Sequence, residues 1–162
     1  TKMSSSVSMK DEPTFESPSP VIAVGQVAPD FELTLLTGFT IKMSELTSRT
    51  PVLLNFIKGV WCPFCQQHLR NLRKWRSSLE QKNVTILVIS NESLDILRAW
   101  THEHPVEYQM GTVKDKNVFS QYGVDIKSHD FPRPATFLLE KGMQCILSHY
   151  GLRDETLESK IK

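Results

Sequence analysis

Apolar residues fall into a few dense runs separated by polar, turn-rich stretches. Val52-Leu53-Leu54-Asn55-Phe56-Ile57 is nearly continuous, which suits a strand covered on both faces. Val84 to Ile89 reads the same way. Between them, from Pro63 to Lys82, the period changes: Cys65, Leu69, Leu72, Trp75 and Leu79 recur at helical spacing. Earlier, Phe31 to Leu35 and Phe39 to Ile41 flank Thr37-Gly38, the pattern of two short strands about a turn, and Ser44-Glu45-Leu46 starts a helical turn. After the second buried run, Asn91 is a candidate cap for a helix that turns Leu94, Leu97 and Trp100 inward and ends at Pro105. Val106 to Met110 then reads as a short strand and Lys114 to Tyr122 as a short helix. Ala135 to Leu139 and Cys145 to His149 form a hairpin across Lys141-Gly142, and Arg153 to Lys162 is a last helix. This order predicts an α/β fold, one mixed central sheet with helices on its faces and an N-terminal β-hairpin extension.

Residues 1–20 break the pattern. They are rich in Ser and Pro and poor in apolar residues, so a flexible tail is expected there, followed by a single domain over 21–162. The 162 residues suffice for one proper core, and 40% apolar with 23% charged residues is a soluble, globular balance. A net charge of +1 gives no footprint for nucleic acid or an acidic membrane surface. No apolar run approaches the roughly 20 residues of a membrane span. No leader pattern stands at the start, which points to the cytoplasm if that start is natural and to the periplasm or export if a leader has been removed. Oligomeric state leaves no mark in the sequence, and a monomer is the default expectation.

The three cysteines are too few and too odd a number for a disulfide-stapled scaffold. Two of them sit in Trp61-Cys62-Pro63-Phe64-Cys65, between the first buried strand and the long helix. A thiol attacks a disulfide only as its thiolate, and a second thiol nearby can resolve the mixed disulfide that results. The spacing lets both thiols meet at a helix start, where unpaired amides and the helix dipole favour a thiolate. Pro63 stands at the first helical position, where its missing N–H costs nothing. Cys62 is therefore expected to be the exposed attacking thiol and Cys65 the buried resolving one. The competing reading is a zinc half-site with His68 and Cys145 as further ligands, but no second close pair of Cys or His follows, so no metal or other cofactor is expected. Cys145, on a strand, reads as an inert buried thiol.

These residues carry a resemblance. Val52-Leu53-Leu54-Asn55-Phe56 running into the cysteine motif resembles the active-site strand and turn of thioredoxin-like proteins. Val27-Ala28-Pro29-Asp30-Phe31 resembles the opening of the redoxin branch, which includes the alkyl hydroperoxide reductase and thiol-specific antioxidant (AhpC/TSA) family. Arg133-Pro134-Ala135-Thr136-Phe137-Leu138 resembles the family's strand after its cis-proline. The likeness covers roughly residues 25–160. It implies a thioredoxin-like fold, a cis Pro134 facing Cys62, Arg133 at the site's edge and Trp61 as an apolar rim. It also implies, as partners, a disulfide-bearing protein or small-molecule substrate and a recharging reductant.

Two departures from the family pattern matter. Thioredoxins place a buried Asp on the strand before the motif as proton acceptor; Asn55 stands here, as in many membrane-anchored or exported thioredoxin-like reductants, and it cannot be a base. The substitutes are a water, Lys58 or Glu45, each more readily read as structural or surface. Peroxiredoxins need a Pro and a Thr or Ser ahead of the peroxidatic Cys. Aligned on Phe56, this chain has Lys58 for the Pro, Cys62 for the Thr and Cys65 for the Cys. The expected activity is thus dithiol–disulfide exchange, with peroxide reduction as the alternative and a redox-inert or zinc-stabilised interaction domain as a third reading. His68 reads as a helix-surface histidine, His102 and His104 as favourable cations at a helix end, and Arg70, Arg73, Lys74 and Arg76 as a solvated helix face.

Overall fold

The structure is a computed structural model that describes residues 22–125 and 132–151. The expected N-terminal tail and the expected helix over 153–162 lie outside the described residues. Among those described, the chain forms β1 (Glu32–Leu35), β2 (Thr40–Lys42), α1 (Met43–Arg49), β3 (Val52–Phe56), α2 (Pro63–Gln81), β4 (Thr85–Ile89), α3 (Leu94–Glu103), β5 (Gln109–Thr112), α4 (Asn117–Gln121), β6 (Ala135–Glu140) and β7 (Gln144–Tyr150). One 3₁₀ turn at Lys141–Met143 joins the last two strands.

The strands make one mixed sheet of order β2-β1-β5-β4-β3-β6-β7. β3 runs parallel to β4 and antiparallel to β6, so it is held on both edges. Side-chain alternation along it sorts the core into two layers. Val52, Leu54 and Phe56 point to one face with Leu87, Ile89, Phe137 and Tyr122. Leu53 and Ile57 point to the other with Ile86, Val88 and the buried stripe of α2. Every β3 residue is buried, as its unbroken apolar run requires. Asn55 shares the register of Leu53 and Ile57 and so faces α2.

The structure moves several expected boundaries, among them α4, which begins at Asn117 rather than Lys114. α1 spans Met43–Arg49, more than the single turn expected. The cap of α3 is Ser93, not Asn91: its hydroxyl accepts the Ile96 N–H at 3.3 Å. The reason lies just upstream, where Ser90 and Glu92 bond to each other and Glu92 accepts the Val60 N–H of the cysteine loop, which leaves the helix to begin after them. β5 begins at Gln109 rather than Val106. Val106 packs against the core layer under α2 instead, and the strand extends past Gly111 because β1 pairs with it there.

That last pairing is close. A Cβ at Gly111 would lie 2.5 Å from the Thr34 carbonyl oxygen and 3.3 Å from the Leu35 Cα, both backbone atoms. Gly111→Ala is therefore expected to lower stability by about 1–3 kcal/mol, the usual cost of overpacking, read from the urea midpoint. An unchanged midpoint would show that β1 and β5 do not close as described.

Candidate active site

The site is built where β3 ends. Ile57 N–H still donates to Ile89 O at 3.2 Å, and the chain then turns through Lys58 to Trp61 into α2. Cys62 is the residue before the helix, in extended geometry, and Pro63 occupies the first turn. No acidic residue stands in that turn, so the positive end of the helix faces the thiols without a competing carboxylate. The Cys62 N–H donates to Gly59 O at 3.2 Å, and the Gln66 N–H to Cys62 O at 2.8 Å.

Both polar backbone groups of Val60 are held by side chains. Gln66 Nε2 donates to its carbonyl at 2.7 Å, and its N–H donates to Glu92 Oε1 at 2.9 Å. The same Glu92 oxygen accepts the buried Ser90 hydroxyl at 2.7 Å. The loop that presents Cys62 is thus pinned to α2 on one side and to the end of β4 on the other. The Trp61 ring lies against Gly59, where any Cβ would collide with it.

Both motif thiols are free and neighbouring. The hydrogen bond from the Cys65 thiol, first, and then the N–H groups of Cys65 and Phe64 and the charge of Lys58 lower the Cys62 pKa to about 6, against burial, which raises it. The Cys65 thiol moves the opposite way, because it donates to Cys62, is buried and faces the Cys62 charge. Cys65 Sγ also accepts the Lys58 N–H at 3.3 Å.

One expectation about exposure is corrected: Cys62 is only 3% exposed and Cys65 0%. The Cys62 side chain therefore lies beneath the surface and is not open to solvent. Trp61 and Phe64 do stand out, at 55% and 40%, and Pro63 is exposed between them. The implied cis-proline is corrected as well. The Arg133–Pro134 peptide is trans, as are all described peptides. Trans is the lower state by about 0.5–1 kcal/mol for an X–Pro bond. The flanking backbone also suits it: Arg133 N–H donates to Val124 O at 2.7 Å, and Pro134 O accepts the Gly151 N–H at 2.8 Å. Ala135 pairs with Phe56, which brings buried Pro134 to the end of β3 where the motif starts. The Arg133 side chain turns to Gly123 O, 3.1 Å from its Nε, and its guanidinium stands 4.8 Å from the Tyr150 ring centre.

His68 is not on the surface. It is fully buried on α2, with Nε2 2.9 Å from Asn55 Oδ1. Thr136 of β6, also fully buried, donates its hydroxyl to the same oxygen at 3.0 Å. Neither this tie nor Glu92 was foreseen. His68 did carry a signal, lying between Cys65 and Leu72 on the apolar stripe; Glu92 carried none. Cys145 is buried on the opposite face of the sheet from Cys65, its thiol donating to Leu147 O at 3.2 Å. Glu45, once a substitute base, is exposed on α1. No group of His, Cys, Asp or Glu among the described residues could hold a metal ion.

A two-thiol helix start at the end of the central strand of such a sheet defines a thiol–disulfide oxidoreductase with a thioredoxin-like fold. Within that class the chain belongs to the AhpC/TSA family, whose model matches residues 24–145. It is 26% identical over 141 residues to the thiol-disulfide oxidoreductase ResA of Bacillus anthracis, covering 86% of this chain and 77% of that one. It is 27% identical over 126 residues to a putative peroxiredoxin, bcp, of Coxiella burnetii, covering 74% and 83%. Among solved structures, a putative thiol:disulfide interchange protein DsbE from Chlorobium tepidum superposes with a TM-score of 0.69 over 91% of this chain and 96% of that one, at 23% identity; that likeness is one of fold. No helix of the described residues is long and apolar enough to cross a membrane.

The lowered Cys62 pKa sets a pH dependence. Alkylation of the reduced protein by iodoacetamide should be slow below pH 6, rise through an inflection near 6 and then stay flat to pH 8, because only the thiolate reacts. An inflection above 8 would remove the hydrogen bond from Cys65 as the activating feature.

Proposed function

We propose that the protein exchanges electrons with disulfide-bearing substrates, with Cys62 as the attacking thiol and Cys65 as the resolving one. The observation that carries this reading is the opposite displacement of two adjacent thiols. With a pKa of about 6, roughly nine-tenths of Cys62 is thiolate at pH 7, while Cys65 holds its proton. In the first step the Cys62 sulfur attacks one sulfur of the substrate disulfide. A mixed disulfide forms, and the other substrate sulfur leaves as a thiolate. In the second, Cys65 gives up its proton and attacks Cys62 Sγ, which closes the Cys62–Cys65 disulfide and releases the remaining substrate sulfur reduced. A separate reductant then restores the dithiol. Trp61, Pro63 and Phe64 give the approach an apolar rim that suits an apolar segment beside the substrate disulfide.

Peroxide reduction is the subordinate reading. The cysteine aligned with the peroxidatic position is Cys65, which is fully buried and keeps its proton, and Lys58 and Cys62 replace the supporting Pro and Thr.

Cys65→Ser should accumulate mixed disulfides with substrate, since attack proceeds and release fails, whereas Cys62→Ser should accumulate almost none. Mass spectrometry of the adducts decides this, and the reverse pattern would exchange the two roles. Cys145→Ala should leave disulfide-reducing turnover within a few-fold of the parent, because its thiol lies across the sheet. In stopped-flow measurements hydrogen peroxide should oxidise the reduced protein far more slowly than a reactive disulfide does; the opposite order would make the protein a peroxidase first.

A further inference from the structure

Both α2 and α3 start at the cysteine loop, and an open groove of about 230 Å³ lies between them. Leu69 of α2, Trp100 of α3 and Val106 beyond it supply its apolar surface, and the exposed Arg70, Arg73 and Glu103 also line it. Its walls are held in place. Trp100 and Val106 pack against the core layer under α2, and the His104 ring stacks on Trp100 at 4.6 Å and 17°. The groove is smaller than the roughly 300–1,000 Å³ that encloses a drug-sized ligand or cofactor. It has room for one large apolar side chain, the usual anchor of a protein partner.

The groove is continuous with the site. Gln66 lines it, and this residue's Nε2 donates to Val60 O at 2.7 Å and its N–H to Cys62 O at 2.8 Å. α3 starts beside the same loop, since Glu92, just ahead of the Ser93 cap, accepts the Val60 N–H. Ile96 stands four positions before Trp100, one turn nearer the loop on the same face of α3, and is 50% exposed. An apolar track thus extends from the groove toward the cysteines. From Gln66 to Arg73 the helix rises about 10 Å, which about three extended residues span. The α2 side of the track is positive. Before Glu80 this helix carries Arg70, Arg73, Lys74 and Arg76 and no acidic residue. Arg76 is engaged by Glu80 and Glu107. Arg70 donates to the neutral Gln67 at 2.8 Å, and neither it nor Arg73 has a carboxylate partner among the described residues. Glu103 on the α3 side is one negative charge against these two.

We propose that the groove between α2 and α3 docks the substrate protein by an extended, acidic segment beside the disulfide that Cys62 attacks, and the inference rests on the disulfide exchange proposed above. One apolar side chain of that segment fills the space against Leu69 and Trp100, and its carboxylates meet Arg70 and Arg73. Contacts of this kind add to encounter and binding, not to the sulfur chemistry. The preference they create therefore appears in KM and weakens as salt screens the arginines.

Two synthetic peptides test this, each with a single cysteine linked by a disulfide to 2-thiopyridine, whose release is coloured. One has Leu and Glu residues on both sides of the cysteine, and the other has Ser and Lys. Bis(2-hydroxyethyl) disulfide, neutral and too small to reach the groove, is the reference substrate. The parent should favour the acidic peptide by about 10-fold in kcat/KM, within the range of electrostatic steering, and added salt should shrink the preference. The double variant Arg70→Glu, Arg73→Glu changes two exposed side chains. It should abolish the preference and leave turnover of the reference disulfide within a few-fold. Ile96→Ser should raise KM for the acidic peptide and spare kcat. Equal rates on the two peptides, or a preference untouched by the charge reversal, overturns the proposal. Failure of the parent to reduce any of the three disulfides overturns the exchange reading and this inference with it. A dimer that dissociates in the double variant, or cross-links from residues 1–20 to the groove, gives it another occupant and refutes the substrate.

Discussion

The hydrogen bond from the Cys65 thiol to the Cys62 sulfur is what makes two chemically identical groups different. Everything around it preserves that asymmetry. β3 is buried on both faces and paired on both edges, so its end is a fixed point. Pro63 starts α2 without leaving a donor unsatisfied, and the absence of an acid in the first turn leaves the helix field to the thiolate. The Gln66–Val60–Glu92 brace holds the loop that carries Cys62. Loss of any of these would let the sulfurs exchange roles or drift apart, and a shared proton tolerates little drift because hydrogen bonds weaken steeply with angle.

The parts of this arrangement that were legible in the sequence are those written in local periodicity. The unbroken run of β3, the helical spacing from Cys65 to Leu79 and the glycine turns each placed an element, because each reflects burial of neighbouring residues. What escaped is what depends on residues far apart. Glu92 meets Val60 across 32 positions, and Thr136 meets Asn55 across 81; no one-dimensional pattern encodes either. His68 was read as surface because histidine is polar, although its place on the apolar stripe argued for burial. The cis-proline came from resemblance alone, and the trans geometry with a bonded backbone on either side replaces it.

The buried Asn55–His68–Thr136 tie also explains why an acid does not stand at position 55. A carboxylate there could not donate to the Leu53 and Leu87 carbonyls, and its oxygens would face theirs. Asparagine satisfies two acceptors with its amide nitrogen and two donors with its oxygen. Fully satisfied polar networks in a core fix geometry, while a half-satisfied one is costly.

The same logic separates disulfide exchange from peroxide chemistry at this turn. A peroxidatic cysteine needs a hydroxyl donor beside it to polarise the O–O bond as the bond breaks. Cys62 occupies that donor's place, and as a thiolate it accepts a hydrogen bond rather than giving one. The cysteine in the peroxidatic position is then the donor of that bond and stays protonated. One residue thus creates the dithiol pair and removes the peroxide activator in the same stroke. The two chemistries compete for a single side-chain position, which is how one family fold can carry either without changing the sheet or the helix that builds the site.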